Sequence, residues 1–422
     1  MPHYERQINQ AAVIELLPSS KQIEAASKWQ NLEQSIRNTG LANSWSWIKT
    51  WLDNYDDTLQ PTFAFGKQDN QPIGAALITK APYRIRNIPI PGVPAVYLGT
   101  AGEPDKETAR VEYNRLLVAP ENLDAFAMGL IRTLQQQFRW SALRLNGFVS
   151  EHADALIRAC ANAGLPFRVD ERKSRVFDFQ KATDEAYQDV ISALGKNTRA
   201  NIRRSLRLFD SNFGQRSIEW AETPEQARDI LRELIHLHQK RWKCIGEPGA
   251  FQTDRVRRHH EDLLDALSLW PQGSLIVFRV KQGETTIGCL FNFVEDGRVM
   301  FYKSGLPLFE DNRLKPGLVT HALCIEECRR RGLLEEEKCR QSGLSEEEES
   351  GKRRLLKYDF LAGEGLYKEQ LSNTGNVLTW ATVRQGPQMW LIDKARQFVE
   401  LVSTTASKRE MNAKGGRTRT DL

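Results

Sequence analysis

The sequence predicts an α/β fold in two similar halves, each a mostly antiparallel central sheet flanked by helices. Three observations predict it. Short β-type segments broken by turns fill 61–100, and helical and strand patterns then alternate up to about residue 180. The same order recurs more completely over 181–402. The hairpin signals Gln282-Gly283-Glu284 and Glu295-Asp296-Gly297 there separate three consecutive strands. With 422 residues the chain has room for such halves, at ~100–200 residues each.

In the first half the patterns give strands at 61–66, 73–79 and 95–99, a helix over 123–138, a strand at 141–145, a helix over 152–163 and a strand at 175–179. Helices over 184–194 and 198–210 open the second half, followed by a strand at 215–220. Thr223-Pro224-Glu225 then reads as an N-cap with proline at the first helical position of a helix to about 243. Next come a helix over 253–269, strands at 275–281, 285–294 and 299–305, and a helix over 316–331. A strand at 355–361, a short helix near Leu366, a strand at 377–383 and a helix over 387–402 complete the half. These patterns predict two separate sheets, one per half. The stretch 335–354, with Glu335-Glu336-Glu337 and Glu346-Glu347-Glu348-Glu349, is charge-dense and free of aromatic residues, so it reads as a flexible acidic insertion. The polar tail 403–422 reads as disordered.

Composition narrows the function classes. No apolar run reaches the ~18–20 residues that span a bilayer, and the first residues lack a secretory pattern, so a cytoplasmic protein without a transmembrane segment is expected. Cys160, Cys244, Cys289, Cys324, Cys328 and Cys339 show no paired spacing, as expected of reduced thiols. Fifty-nine basic against 54 acidic residues leave a net charge of only +5, and no nucleic-acid partner is expected. His321, Cys324 and Cys328 share a helix face without a fourth ligand in sight, so the site is expected to hold no metal.

Several local sequences, in order, carry a family resemblance. They are Asn197-Thr198-Arg199-Ala200-Asn201-Ile202-Arg203-Arg204, His238-Gln239-Lys240-Arg241-Trp242, Gly249-Ala250-Phe251, Phe301-Tyr302-Lys303-Ser304-Gly305, Lys315-Pro316-Gly317 and Tyr358-Asp359-Phe360-Leu361-Ala362-Gly363-Glu364-Gly365-Leu366-Tyr367-Lys368. Together with the cluster Trp45, Trp47 and Trp51, they resemble the BioF2-like or CelD (BcsL) group of acetyltransferases, related to the FemAB transferases. That group lies within the GNAT (acyl-CoA N-acyltransferase) superfamily. The resemblance implies tandem GNAT-like domains, the first (1–180) degenerate and the second (181–402) catalytic. It also implies acyl-CoA, acetyl-CoA above all, as co-substrate rather than a resident cofactor. The implied activity moves an acyl group to an amine or hydroxyl of a saccharide or cell-envelope precursor. A Fem-like aminoacyl transferase and a non-catalytic assembly protein of exopolysaccharide biosynthesis are the alternatives on the same fold.

Candidate site residues follow. Arg199 and Arg203 stand four apart on an amphipathic helix with Arg204 beside them, suited to phosphate oxygens, although a solvated face would show the same pattern. Pro316 and Gly317 open a helix whose free N–H groups suit a pyrophosphate, or make an ordinary helix start. Asp359 and Glu364 are candidate bases, and Lys368 suits an oxyanion or phosphate. Tyr367 falls where the resemblance places the acid that protonates the departing thiolate. Tyr302, Lys303 and Trp242 are candidate cleft walls, and all of these residues are expected to share one cleft.

Overall fold

The computed structural model describes residues 11–85, 88–184, 187–342, 354–386 and 389. Its first half comprises β1 (Val13–Pro18), α1 (Gln22–Ser35), α2 (Trp45–Leu59), β2 (Thr62–Gln68), β3 (Gln71–Ile85), β4 (Ile88–Leu98), β5 (Leu117–Val118), α3 (Leu123–Gln137), β6 (Ala142–Val149), α4 (Ser150–Asn162) and β7 (Phe167–Asp178). The second comprises α5 (Phe179–Asp184), α6 (Lys196–Phe213), β8 (Arg216–Trp220), α7 (Pro224–Cys244), α8 (Asp254–Ala266), β9 (Leu275–Gln282), β10 (Thr285–Glu295), β11 (Arg298–Gly305), α9 (Pro316–Ser342), β12 (Lys357–Ala362), α10 (Leu366–Gln370) and β13 (Thr374–Arg384).

Each half carries mostly antiparallel strands flanked by helices, but the expectation of two separate sheets is corrected. The strands form one sheet in the order β1-β2-β3-β4-β6-β13-β7-β12-β11-β10-β9-β8, with β5 on β3. The order is symmetric about the β13–β7 pair: the parallel pair β4–β6 lies on one side and the parallel pair β12–β11 on the other. β13, late in the chain, pairs with β6, and β7, from the first half, pairs with β12. Because each half borrows the other's last strand, no open edge remains at the junction.

Three apolar clusters cover the sheet. One cluster serves both halves, joining Trp29 of α1 and Trp47, Trp51 and Tyr55 of α2 to Leu231 and Leu234 of α7 and Val256 and Leu263 of α8. On the other face, α3 and α4 cover the first half, and α6 and α9 cover the second. The contact of α2 with α8 is polar at its rim, where Arg255 meets Asp57 (2.8 Å) and Asn54 donates to Asp262 (2.8 Å). Thr223 and Gln226 form the capping box of α7, as its sequence predicts.

Two element assignments need correction. No helix forms over 187–195: Asp189 Oδ1 accepts from the Ser192 N–H (2.6 Å) and the Ser192 hydroxyl donates to the Asp189 carbonyl (2.7 Å), local bonds that compete with a helix. The charged stretch from 335 continues α9 as far as Ser342, since Lys338 reaches Glu335 (2.6 Å) and Gln341 reaches Glu337 (3.4 Å) across single turns. The rest of the insertion (343–353), the tail, and all of the helix expected over 387–402 except residue 389 lie outside the described residues. No helix among the described residues is long and apolar enough to cross a membrane.

Candidate active site

β11 and β12 run parallel, but they pair only over Arg298↔Lys357, Val299↔Tyr358 and Met300↔Asp359. Beyond that point both strands carry a bulge. On β11 the register with β10 slips so that Tyr302 is an extra residue between Phe301 and Lys303. On β12 two residues, Phe360 and Leu361, oppose one on β7, and Leu361 takes a φ of 58°, the left-handed region that leucine avoids. Bulges bend a strand and end its pairing, so the sheet opens between β11 and β12. This opening organises the site.

Its β12 lip is held by charged groups. Asp359 is fully buried, and its carboxylate accepts from the hydroxyls of Tyr113 and Ser174 and from the Leu361 N–H (2.8 Å). Asn376 of β13 donates to the Tyr113 oxygen (3.0 Å), and the Arg298 guanidinium sits 3.8 Å from the Tyr113 ring centre. Burial and the neighbouring Asp359 push the Tyr113 phenol up. Glu112 Oε2 accepts from the Ala362 N–H (2.7 Å), while Lys368 donates to the Leu361 and Ala362 carbonyls (3.1 and 2.9 Å). The strained turn of backbone is thus fixed from both sides.

On the face covered by α6 and α9, the Tyr367 ring stacks on His321 at 5.3 Å and meets Phe360 edge-on. Burial pushes the Tyr367 phenol up to about 12 and the His321 imidazole down to about 3. α6 lies beside the start of α9: Ser205 Oγ accepts from the Lys315 N–H (2.9 Å), just before Pro316 and Gly317. Arg204 is exposed; the Asp311 carboxylate, in the loop that leads to α9, is held ionised by its bonds from Arg313, with Arg204 a lesser neighbour. Arg199 donates to the Ser192 carbonyl (2.9 Å), and Arg203 is exposed.

On the opposite face, Tyr302 stacks on His260 (5.6 Å), with its hydroxyl buried and unpartnered among the described residues. Lys303 Nζ lies 4.8 Å from the Tyr302 ring centre, and burial, with Arg110, pushes this amine down to about 8. Both residues line a cleft of about 410 Å³ with His238, Trp242, Gly249 and Ser304. His238 Nε2 accepts from the Ala250 N–H (3.1 Å), which leaves Nδ1–H to donate to the Ser304 carbonyl (2.8 Å) and pin the end of β11.

The expected residues do not all line one cleft; they are divided between the two faces of the sheet. Tyr302, Lys303 and Trp242 lie on one face, and Tyr367, Pro316, Gly317 and the α6 arginines on the other. Asp359 departs from its expected part as a base: it is sealed and takes three hydrogen bonds, so it holds the lip. Glu364 stands exposed in the turn between β12 and α10. Sequence reasoning missed Glu112, Tyr113 and Ser174, which come from the first half, and Asn376. His238 stood within a quoted motif without a role. His321, Cys324 and Cys328 are core residues, and no group of three or more His, Cys, Asp or Glu among the described residues could hold a metal ion.

With this geometry in view, comparisons with known proteins define a class for one segment. Residues 196–336 match the family model described as acetyltransferase (GNAT) domain, a span from α6 into α9 that includes β11 and stops before β12. No curated protein matches the chain. Among solved structures, FemX is 10% identical with a TM-score of 0.49, over 84% of this chain and 95% of that one. A tandem GNAT protein from the clavulanic acid biosynthesis pathway is 11% identical with a TM-score of 0.42, over 88% and 99%. A protein of unknown function from Bacteroides thetaiotaomicron is 13% identical with a TM-score of 0.45, over 85% and 97%.

Proposed function

We propose that this protein transfers an acyl group, acetyl in the first instance, from acyl-CoA to an amine or hydroxyl of a saccharide or cell-envelope precursor in the cytoplasm. The observation that carries the reading is the bulged opening between β11 and β12, in and beside the segment that matches acetyltransferase domains. A pantetheine arm bears two amides and can lie along a strand edge whose own partner has bent away. At one end of that edge the α9 N-terminus, opened by Pro316, offers the N–H groups of Gly317 and Leu318 to the pyrophosphate, and Arg199, Arg203 and Arg204 of α6 add cations for its charge. Tyr367 lies at the other lip and supplies the proton for the thiolate. A phenol held up near 12 is fully protonated at neutral pH, so its proton is in place to pass to sulfur as the C–S bond breaks. Tyr302, Lys303 and Trp242 line the acceptor side, and Lys368 and Asp359 keep the β12 lip in shape. The saccharide or envelope acceptor rests on the motif resemblance alone.

Calorimetry with acetyl-CoA, followed by turnover with a panel of amino sugars, tests the reading. Binding should be retained in Tyr367→Phe while turnover falls by ~10²–10⁴-fold. Absence of acetyl-CoA binding by the wild type would overturn the proposal, and full turnover by Tyr367→Phe would remove that residue from it.

A further inference from the structure

The first half of the chain reaches into the opening. Glu112 lies in the connection between β4 and β5, and its side chain passes over Gly147 of β6, where a Cβ would stand 3.2 Å from Glu112 Cγ. A side chain there would press on Glu112, and the φ of 62° favours glycine. The carboxylate ends at the β12 lip, where Oε2 takes the Ala362 N–H (2.7 Å). Oε1 takes no hydrogen bond among the described residues and is not sealed, since Glu112 is only half-buried. Glu112 thus stands on the side of the sheet away from Tyr367: Trp380, the other neighbour of Gly147, belongs with Ala362 and Tyr302 to the cluster on that face, whereas Tyr367 packs with α6 and α9.

We infer that Glu112 is the base that takes the acceptor's proton, so that the two halves of the chain share one catalytic centre. The inference rests on the acyltransferase reading. As the acceptor nitrogen or oxygen bonds to the thioester carbonyl carbon, its proton passes to Glu112 Oε1 and the carbonyl π pair moves onto oxygen. When that pair returns, the C–S bond breaks, and the thiolate takes the Tyr367 proton on the opposite face. Solvent then carries the proton from Glu112 back to the tyrosinate. Burial raises the Glu112 carboxyl, which suits a base; the Ala362 N–H bond, Lys368 of α10 and Arg172 of β7 oppose, and Asp359 of β12 raises it further. Activity should therefore rise with pH through a limb above the ordinary carboxyl range.

Glu112→Gln separates a base from a structural prop, because the amide oxygen still accepts from Ala362 while it takes no proton. Acetyl-CoA consumption is followed with glucosamine as acceptor and with water alone, across pH, alongside acetyl-CoA calorimetry. The expected result is a turnover loss of ~10²–10⁴-fold, disappearance of the acid limb, and unchanged acetyl-CoA affinity and thermal midpoint. Wild-type turnover with the limb intact in Glu112→Gln overturns the inference and leaves the acyltransferase reading standing. A wild type inert toward acetyl-CoA overturns both.

Discussion

Replacing Asp359 by alanine should be among the most destabilising single changes in the chain. The carboxylate is fully buried and serves three donors: the Tyr113 hydroxyl, the Ser174 hydroxyl and the Leu361 N–H. Tyr113 and Ser174 are themselves 3% and 0% exposed, so neither hydroxyl can turn to bulk water. Each buried donor left without a partner costs about 1–3 kcal/mol. A water entering the vacated space would recover part of that sum, leaving a loss of about 3–5 kcal/mol. Asp359→Asn keeps one acceptor oxygen, and the hydroxyls can rotate to accept from its amide, so its loss should be about 1–2 kcal/mol. Against a total stability of about 5–15 kcal/mol, the alanine variant should approach the threshold for folding at all. Urea unfolding followed by tryptophan fluorescence reads both values from the midpoints at unchanged slope. A loss below about 1 kcal/mol for alanine, or alanine no worse than asparagine, would refute the reasoning that this carboxylate holds the lip.

Two further outcomes follow from topology and burial. A fragment of residues 1–180 should fail to give a dispersed amide NMR spectrum, because β6 and β7 meet only through β13, and joining 374–386 to it should restore order; a well-folded bare fragment would contradict this. Lys303 should titrate near 8 by NMR of methylated lysines. Since its ordinary value is 10.5, the folded chain binds fewer protons between the two values, and stability should rise with pH across that window. Titration of every lysine above 10, or the same pH dependence in Lys303→Met, would count against the burial of an unpaired amine there.

What the sequence disclosed was local in origin. The hairpins from Leu275 to Gly305 announce themselves through two Gly-containing turns, and Thr223 opens α7 with a proline at its first position. Errors arose where local rules compete. Asp189 and Ser192 satisfy their own backbone and stop a helix, whereas the paired charges of Glu335 and Lys338 prolong one that composition alone would end. α1 and α2 are missing from the sequence reading although Ser44 caps α2 by accepting from Trp47, because Trp45, Trp47 and Trp51 entered it only as part of a motif resemblance.

The site was half legible for a different reason. Tyr302, Lys303, Tyr367 and Lys368 sit on the bulged strand β11 or in the helix that follows β12, so motif order alone places them near the opening. Glu112 and Tyr113 lie 250 and 246 positions from the groups they bind, Ala362 and Asp359, and no periodicity spans such a distance. Their approach depends on β13 threading between β6 and β7, a pairing that becomes visible only once the whole sheet is assembled. The same threading argues against treating the first half as a remnant. A Gly147→Ala change strains the backbone and presses on both Trp380 and Glu112, so the test is the double change: if it lowers turnover in the wild type but not further in Glu112→Gln, with acetyl-CoA affinity intact, the first half keeps its carboxylate in place for chemistry, and an equal further fall in Glu112→Gln would refute this.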